Sequence, residues 1–251
     1  MDKPPFGVPE IVAAVAGAES VLDAGCGSAR LTVALADAGA AEVVGVDTSR
    51  ERLDQGSARL AAHPAGRRVE LIMADFDESL PFPAGRFAAS VSRLALMIAK
   101  DPIATLRELG RVTATGGRVV TALWAPVGDN PWFALPRSAA AAVLGPERAA
   151  YARAFGRIGD PAEAAELHRA VGLTDVRAQT LRETLGVEDA AALWAWMTRE
   201  NGHVRRLDAT LTAAERAAVL EALAREAAEY RTADGSLALP RTMTLVTARV
   251  A

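Results

Sequence analysis

Short apolar runs alternate with longer helical patterns through the first half of the chain. Five runs, each short enough to be a strand, are followed or preceded by segments with helical periodicity. This alternation is typical of βαβ units, in which parallel strands are joined by right-handed helical crossovers. It predicts strands at residues 20–24, 43–46, 69–73, 87–91 and 118–124, and helices at residues 29–38, 50–62 and 101–112.

The second half of the chain interrupts this alternation twice. Residues 126–159 contain four prolines and an Ala-rich helical stretch between Pro136 and Pro146, and residues 186–238 are strongly helical. Asp160 is expected to cap a helix that ends at Ala170, ahead of a sixth strand at residues 172–181. A seventh strand is expected at residues 241–250.

These elements predict one α/β domain over residues 1–251. Its core is a seven-stranded doubly wound sheet, mostly parallel with the last strand antiparallel, with helices on both faces. The two helical insertions, at residues 126–159 and 186–238, are expected to form a lid over the binding site of the molecule on which the protein acts.

Composition narrows the possible partners. The formal net charge is −3, whereas nucleic-acid-binding proteins usually present a basic surface, so no nucleic-acid partner is expected. The single cysteine, Cys26, allows neither an internal disulfide nor a zinc site, and no metal is expected. Without an apolar run of the roughly 20 residues that span a bilayer, we expect no membrane partner and a cytoplasmic location.

A glycine turn joins the first predicted strand to its helix. Gly25 and Gly27 permit backbone angles closed to other residues and let a ligand approach the main chain. A dinucleotide-binding turn requires a third glycine where this chain has Arg30. Asp47 ends the second strand, at about the 20-residue distance where an acid accepts hydrogen bonds from ribose hydroxyls. The pattern therefore favours a nucleoside ligand without a pyrophosphate.

With its neighbours, this turn resembles the first motif of the class I S-adenosylmethionine (SAM)-dependent methyltransferases. The segments at residues 23–29, 44–49, 74–76, 80–87 and 108–117 are similar to successive motifs of that family in order and spacing. The resemblance covers about half of the chain and implies the Rossmann-like fold. It also implies SAM as cofactor, S-adenosyl-L-homocysteine (SAH) as product, and a small-molecule acceptor.

The resemblance also implies a set of cofactor-binding residues. The glycine turn would line the methionine part of SAM, the acid ending the second strand would bind the ribose, and residues after the third strand would hold the adenine. Residues just past the fourth strand would stand near the transferred methyl group. The set is Asp23, Gly25, Cys26, Gly27, Asp47, Thr48, Asp75, Phe76, Ser92 and Arg93.

The sequence departs from the family pattern at two places. Ala29 stands where a third glycine is common, and it is small enough for binding to survive. Ala88 and Ala89 follow Phe87 where an acid is usual, which removes an expected polar contact.

The histidines and tryptophans offer candidates for catalysis and acceptor binding. His203, in the second insertion, is the candidate general base, whereas a solvated position is expected for His168. Four aromatic residues either line an acceptor pocket or pack the insertions onto the core, namely Trp132, Phe133, Trp194 and Trp196. Trp194 and Trp196 are two residues apart on a predicted helix, so they are expected to point in different directions.

The function predicted from these features is transfer of a methyl group from SAM to an oxygen, nitrogen or carbon atom of a small organic molecule, mainly by alignment of the reactants. Three alternatives remain: a SAM-binding protein without methyl transfer, an NAD(P)-dependent oxidoreductase, and a methyltransferase acting on protein or nucleic acid. The chain is expected to be a monomer or a homodimer.

Overall fold

The computed structural model of the chain describes residues 4–61, 63–150 and 158–251. Its strands are β1 Ser20–Ala24, β2 Glu42–Asp47, β3 Val69–Met73, β4 Phe87–Arg93, β5 Thr113–Trp124, β6 Thr174–Val187 and β7 Leu237–Arg249. Its α-helices are α1 Val8–Ala14, α2 Arg30–Asp37, α3 Arg50–Ala61, α4 Pro102–Val112, α5 Pro131–Leu144, α6 Pro161–Ala170, α7 Ala190–Glu200, α8 Gly202–Asp208 and α9 Ala213–Glu226.

The strands form one sheet in the order β3-β2-β1-β4-β5-β7-β6. Neighbours among the first five strands are parallel, and β7 pairs with β5 in the antiparallel direction. The fold class is therefore confirmed, including the reversed last strand. The order changes direction at β1, and ligands of such sheets bind beyond the carboxyl ends of the strands at this point.

Helices cover both faces of the sheet. Leu22 of β1 belongs to a buried apolar cluster with Leu109 of α4. The next residue, Asp23, accepts a hydrogen bond from Thr32 of α2. Because consecutive residues of a strand point to opposite faces, α4 and α2 lie on opposite sides of β1.

Helices α4 and α6 each begin at an aspartate that caps the first turn. The Asp101 carboxylate accepts hydrogen bonds from the amides of Ile103 and Ala104, and Asp160 makes the same contacts at the start of α6. Each aspartate precedes a proline at the first helical position, where the missing N–H costs no hydrogen bond. The predicted cap at Asp160 is confirmed.

Several elements differ from their predicted extents. Strand β6 runs six residues further than predicted, to Val187, and β7 begins four residues earlier, at Leu237. Strand β5 begins at Thr113, because Phe87 pairs with Thr113 and Ala89 with Arg118. The glycine pair at 116–117 is therefore part of a bulge within β5 and does not precede the strand. Helix α5 begins at Pro131 and contains Pro136, where the prediction started helical structure only after Pro136.

The expectation that His168 is solvated was wrong. Its side chain is fully buried, and Nδ1 lies 2.7 Å from the carbonyl oxygen of Ala164 while Nε2 lies 3.0 Å from the Thr121 hydroxyl. A carbonyl only accepts, so Nδ1 carries the proton and the Thr121 hydroxyl donates to Nε2. Burial lowers the pKa of His168 from 6.5 to about 4, which keeps the ring neutral.

The chain divides into two compact units. The first comprises Met1–Trp124, Gly156–Leu181 and Met243–Ala251, and it contains β1 to β5 with α1 to α4 and α6. The second comprises Ala125–Phe155 and Arg182–Thr242 and contains α5, α7, α8 and α9. Strands β6 and β7 each cross a boundary. In the described part of the chain, no helix combines the length and apolar character that crossing a bilayer requires.

Candidate functional site

The glycine turn after β1 is fixed by the neighbouring strand. The amides of Gly25 and Cys26 both donate to the carbonyl of Val46, at 2.8 and 2.9 Å. Gly25 and Gly27 have φ angles of 77° and 55°, in the left-handed region that glycine adopts without a Cβ penalty. Ala29, at the position of the third family glycine, is also left-handed, with φ 61°.

Asp47, at the carboxyl end of β2, connects this turn to the next loop. Its Oδ2 accepts a hydrogen bond of 2.8 Å from the Gly27 amide, and its Oδ1 accepts one of 2.9 Å from the Ser49 amide. A carboxylate offers about four acceptor positions, so two remain after these bonds. The sequence placed Asp47 near the glycine turn, and the structure joins the two directly.

The space in front of Gly25 is closed to any side chain. A Cβ at Gly25 would overlap the Cβ of Ala95 and would lie 3.5 Å from the Phe76 ring. Ala95 is held there by a turn at Leu94, which has the left-handed φ of 62° and donates its amide to the carbonyl of Ala122. A leucine in this region is strained, and such strain concentrates at binding sites. Sequence patterns carried no signal for Leu94 or Ala95.

Asp23 lies fully buried at the other side of the turn. Its Oδ2 accepts a hydrogen bond of 2.7 Å from the Thr32 hydroxyl. Burial raises the pKa of Asp23 from 3.8 to about 7, while the Thr32 hydrogen bond and the charge of Arg93 lower it in part. Asp23 is therefore a carboxyl group whose charge is sensitive to its surroundings near neutral pH.

The predicted adenine-side residues follow β2 and β3. The amide of Ala74 donates to the carbonyl of Asp47, which places the start of the loop after β3 against the end of β2. In that loop, the Oδ1 of Asp75 accepts from the Asp77 amide, and its Oδ2 lies 3.9 Å from Nζ of Lys100. Phe76 is buried and Thr48 is exposed.

Ser92 and Arg93 end β4. The Ser92 side chain is buried, and its hydroxyl has no hydrogen-bond partner within the described residues. Nε of Arg93 donates to the carbonyl of Phe6 at 3.0 Å, and its charge acts on Asp23. Burial raises the pKa of the Cys26 thiol, which opposes the thiolate form that a nucleophile needs.

The segments at residues 80–87 and 108–117 are joined by hydrogen bonds from an ion pair in α4. Glu108 and Arg111 of α4 form a two-bond contact, in which Nε and Nη2 of Arg111 donate to the two carboxylate oxygens at 2.7 and 2.6 Å. Arg111 also donates to the carbonyls of Leu80 and Phe82, while Glu108 accepts from the Leu80 amide. This network ties the segment at residues 80–87 to α4.

The position where the family usually has an acid, after Phe87, lies at the edge of the sheet opposite the glycine turn. Ala88 is at the amino end of β4, and its amide donates to the hydroxyl of Ser20, at the amino end of β1. Gly25 and Asp47 lie at the carboxyl ends of their strands, the opposite edge of the parallel sheet. Ala88 and Ala89 therefore affect contacts where β4 begins, and they do not alter the predicted cofactor residues.

The second unit contains the remaining aromatic candidates. The rings of Trp132 and Trp196 pack edge to face at 5.4 Å, and the Arg241 guanidinium lies 5.6 and 5.4 Å from their centres. Arg241 also donates to Glu183 at 2.7 Å. Trp194 is buried elsewhere in the unit and donates to Asp208. The two tryptophans of α7 thus have separate surroundings, as their spacing predicted.

His203 lies in the second unit, whereas all ten predicted cofactor residues lie in the first. Its Nδ1 is 2.9 Å from Nη2 of Arg206, and a guanidinium only donates, so Nδ1 accepts. The proton of a neutral His203 then lies on Nε2. In this arrangement no lone pair of the ring is open to accept a proton from another molecule.

Comparisons with known proteins agree with this geometry. A family model described as a methyltransferase domain matches residues 21–117, which contain the glycine turn, Asp47 and the Glu108 network. A demethylmenaquinone methyltransferase from Mycolicibacterium vanbaalenii is 34% identical over 174 residues, which are 65% of this chain and 72% of that protein. The chain belongs to the class I SAM-dependent methyltransferases. The family predicted from the sequence is thereby confirmed.

Other relatives match a smaller part of the chain or share only its fold. An uncharacterized Mycobacterium tuberculosis protein is 38% identical over 110 residues, 44% of this chain. The matched part spans only 39% of that protein's length. A putative methyltransferase from Bacillus halodurans has the same fold with a TM-score of 0.63 and 18% identity, covering 97% of this chain and 98% of that one.

Proposed function

We propose that the chain transfers a methyl group from SAM to a small organic acceptor. The observation that carries this proposal is the contact between Asp47 and the Gly27 amide. It brings a carboxylate with spare acceptor positions to the glycine turn. The relationship to a demethylmenaquinone methyltransferase supports a small-molecule acceptor.

The described residues fit SAM as the methyl donor. We propose that Asp47 accepts hydrogen bonds from the ribose hydroxyls, that Gly25, Cys26 and Gly27 line the methionine part, and that Asp23 fixes their turn. The carboxylate of Asp75 accepts a hydrogen bond from the adenine amino group, and Thr48 and Phe76 lie beside the ring. Ser92 and Arg93 lie nearest the methyl group.

Bound SAM supplies a methyl group that its positively charged sulfur already activates. The protein therefore contributes mainly by alignment and by exclusion of water, effects that together reach about 7–11 kcal/mol in well-oriented reactions. The buried Ser92 hydroxyl has no protein partner in the described chain. SAH is the expected second product.

For acceptors that lose a proton, we propose His203 as the general base. This role requires the contact between His203 and Arg206 to break, because Nδ1 otherwise has no open lone pair. We further propose that the second unit, including the insertions at residues 126–159 and 186–238, selects the acceptor and acts as its lid. The pair Trp132 and Trp196 is the part of that unit best suited to an apolar molecule.

Calorimetric titration with SAM and SAH tests the cofactor proposal. We expect micromolar binding by the wild-type protein and at least a tenfold weaker affinity for Asp47→Asn, because a carboxylate accepts hydroxyl protons more strongly than an amide. Asp54→Asn, on the exposed surface of α3, is the matched control and should bind as the wild type does. Equal binding of SAM by all three proteins would show that Asp47 does not bind the cofactor.

A second experiment separates transfer from binding alone. The protein is incubated with SAM and a panel of small quinols, phenols and carboxylates, and products are followed by a mass increase of one methyl group. A methylated product establishes the enzyme. SAM binding without a product from any acceptor favours the alternative of a SAM-binding protein without methyl transfer.

A further inference from the structure

One face of α3 lies directly against the glycine turn. Gly56 makes this approach close, since a Cβ there would lie 3.1 Å from the Cβ of Ala29 and 3.4 Å from the carbonyl carbon of Ser28. One turn further along the same face, Nε of Arg59 donates to the Ser28 carbonyl at 3.1 Å. One turn before Gly56, the same face carries Arg52.

The Arg52 side chain extends across Gly27. Its Nη1 and Cδ lie 3.7 and 4.0 Å from the position that a Cβ at Gly27 would occupy. The amide of the same glycine donates to Asp47. The Arg52 guanidinium and the Asp47 carboxylate therefore both lie beside Gly27. Arg52 is exposed, and within the described residues no hydrogen bond or ion pair engages its guanidinium.

This pairing of groups has a specific chemical complement. A guanidinium only donates hydrogen bonds, and a carboxylate only accepts them. A hydroxyl group does both, so a pair of neighbouring hydroxyls can donate to Asp47 while accepting from Arg52. A carboxylate on the ligand could use only the arginine.

From this geometry we propose that Arg52 binds the ribose hydroxyls of SAM together with Asp47, as a further cofactor-binding residue. This inference rests on the proposed function, because it concerns the same cofactor. Arg52 acts on the ribose, which SAM, SAH and 5′-methylthioadenosine share. It does not act on the methionine carboxylate, which 5′-methylthioadenosine lacks.

Arg52→Met tests the role, since methionine keeps an apolar chain over Gly27 and removes every donor. Affinities for SAH and 5′-methylthioadenosine are measured by calorimetry, each as the ribose compound and as its 2′,3′-dideoxy analogue. We expect Arg52→Met to weaken both ribose ligands by about tenfold, as for loss of a charge-assisted hydrogen bond. The dideoxy analogues should bind equally to variant and wild type. Arg50→Met, on the neighbouring exposed arginine, is the control.

The possible results lead to different conclusions. A loss confined to SAH assigns Arg52 to the methionine carboxylate and overturns the ribose role. Unchanged affinities in Arg52→Met, with normal binding by the wild type, overturn this inference alone. Failure of the wild type to bind either ribose ligand overturns the proposed function and this inference with it. A thermal melt of Arg52→Met that matches the wild type shows that the fold is intact.

Discussion

At the residue scale, Ala29 occupies a backbone conformation that suits glycine. Its φ of 61° lies in the left-handed region, where a Cβ costs about 1–2 kcal/mol. Its methyl group is nevertheless fully buried, between the turn and α3. The loss of a glycine from the family pattern was visible in the sequence, but the strain it introduces depends on a φ angle that only the structure provides.

We expect Ala29→Gly to change the free energy of unfolding by less than about 1 kcal/mol, because release of the left-handed strain offsets the lost methyl burial and the added chain entropy. The matched change Ala165→Gly removes a buried methyl from the middle of α6, where no strain is released. It should cost roughly 2 kcal/mol. Urea denaturation measures both, and equal losses would argue against strain at Ala29.

At the element scale, the loop before β4 depends on α4 for its position. Arg111 and Glu108 together contact the amide of Leu80 and the carbonyls of Leu80 and Phe82. These backbone groups belong to no helix or strand, so side chains from α4 satisfy them in place of a strand partner. The loop is therefore ordered by side chains that lie 28 to 31 residues later in the sequence.

We expect Arg111→Lys to lower the free energy of unfolding by about 1–3 kcal/mol, because an ammonium group cannot reproduce the planar set of four contacts. Amide hydrogen exchange at Leu80 should accelerate as the loop loosens. Arg107→Lys, on an exposed position of the same helix, should alter neither quantity. Unchanged exchange at Leu80 in Arg111→Lys would mean that the loop holds itself in place.

At the scale of the whole molecule, two buried groups oppose each other in the response to acid. Burial raises the pKa of Asp23 from 3.8 to about 7, so the unfolded chain loses this proton first and stability falls as pH rises through that window. Burial lowers the pKa of His168 from 6.5 to about 4, so the unfolded chain gains this proton first and stability falls as pH decreases. The two slopes largely cancel in the wild type.

We expect that replacing either group alone will reveal the pH dependence of stability that the other group causes. Asp23→Asn should leave a stability that rises with pH by roughly 3 kcal/mol across the His168 window, and His168→Gln should leave one that falls with pH by a similar amount. Urea denaturation at several pH values between 4.5 and 6.5 measures both slopes. If both variants keep the wild-type slope, these two groups do not control the pH response.

The sequence was most informative where a residue type has a single well-defined role in the backbone structure. The strand at Ser20–Ala24, the cap at Asp160 and the link between Gly27 and Asp47 follow from apolar runs, capping preferences and the glycine turn. Burial of His168 did not follow, because a histidine on a helix face is buried or exposed according to its neighbours. Arg52 was also missed, since its approach to Gly27 depends on how closely α3 packs.

The position of β7 determines when the sheet can be completed during synthesis. Strands β1 to β5 lie within the first 124 residues, yet β5 obtains its second partner only when β7 pairs along residues 118–124. A nascent chain that has not reached Leu237 thus presents the open edge of β5 to its surroundings. Open strand edges invite pairing with other chains. The synthesis of the stretch between β5 and β7 is therefore an interval in which a ribosome-bound chain is open to aggregation through this edge.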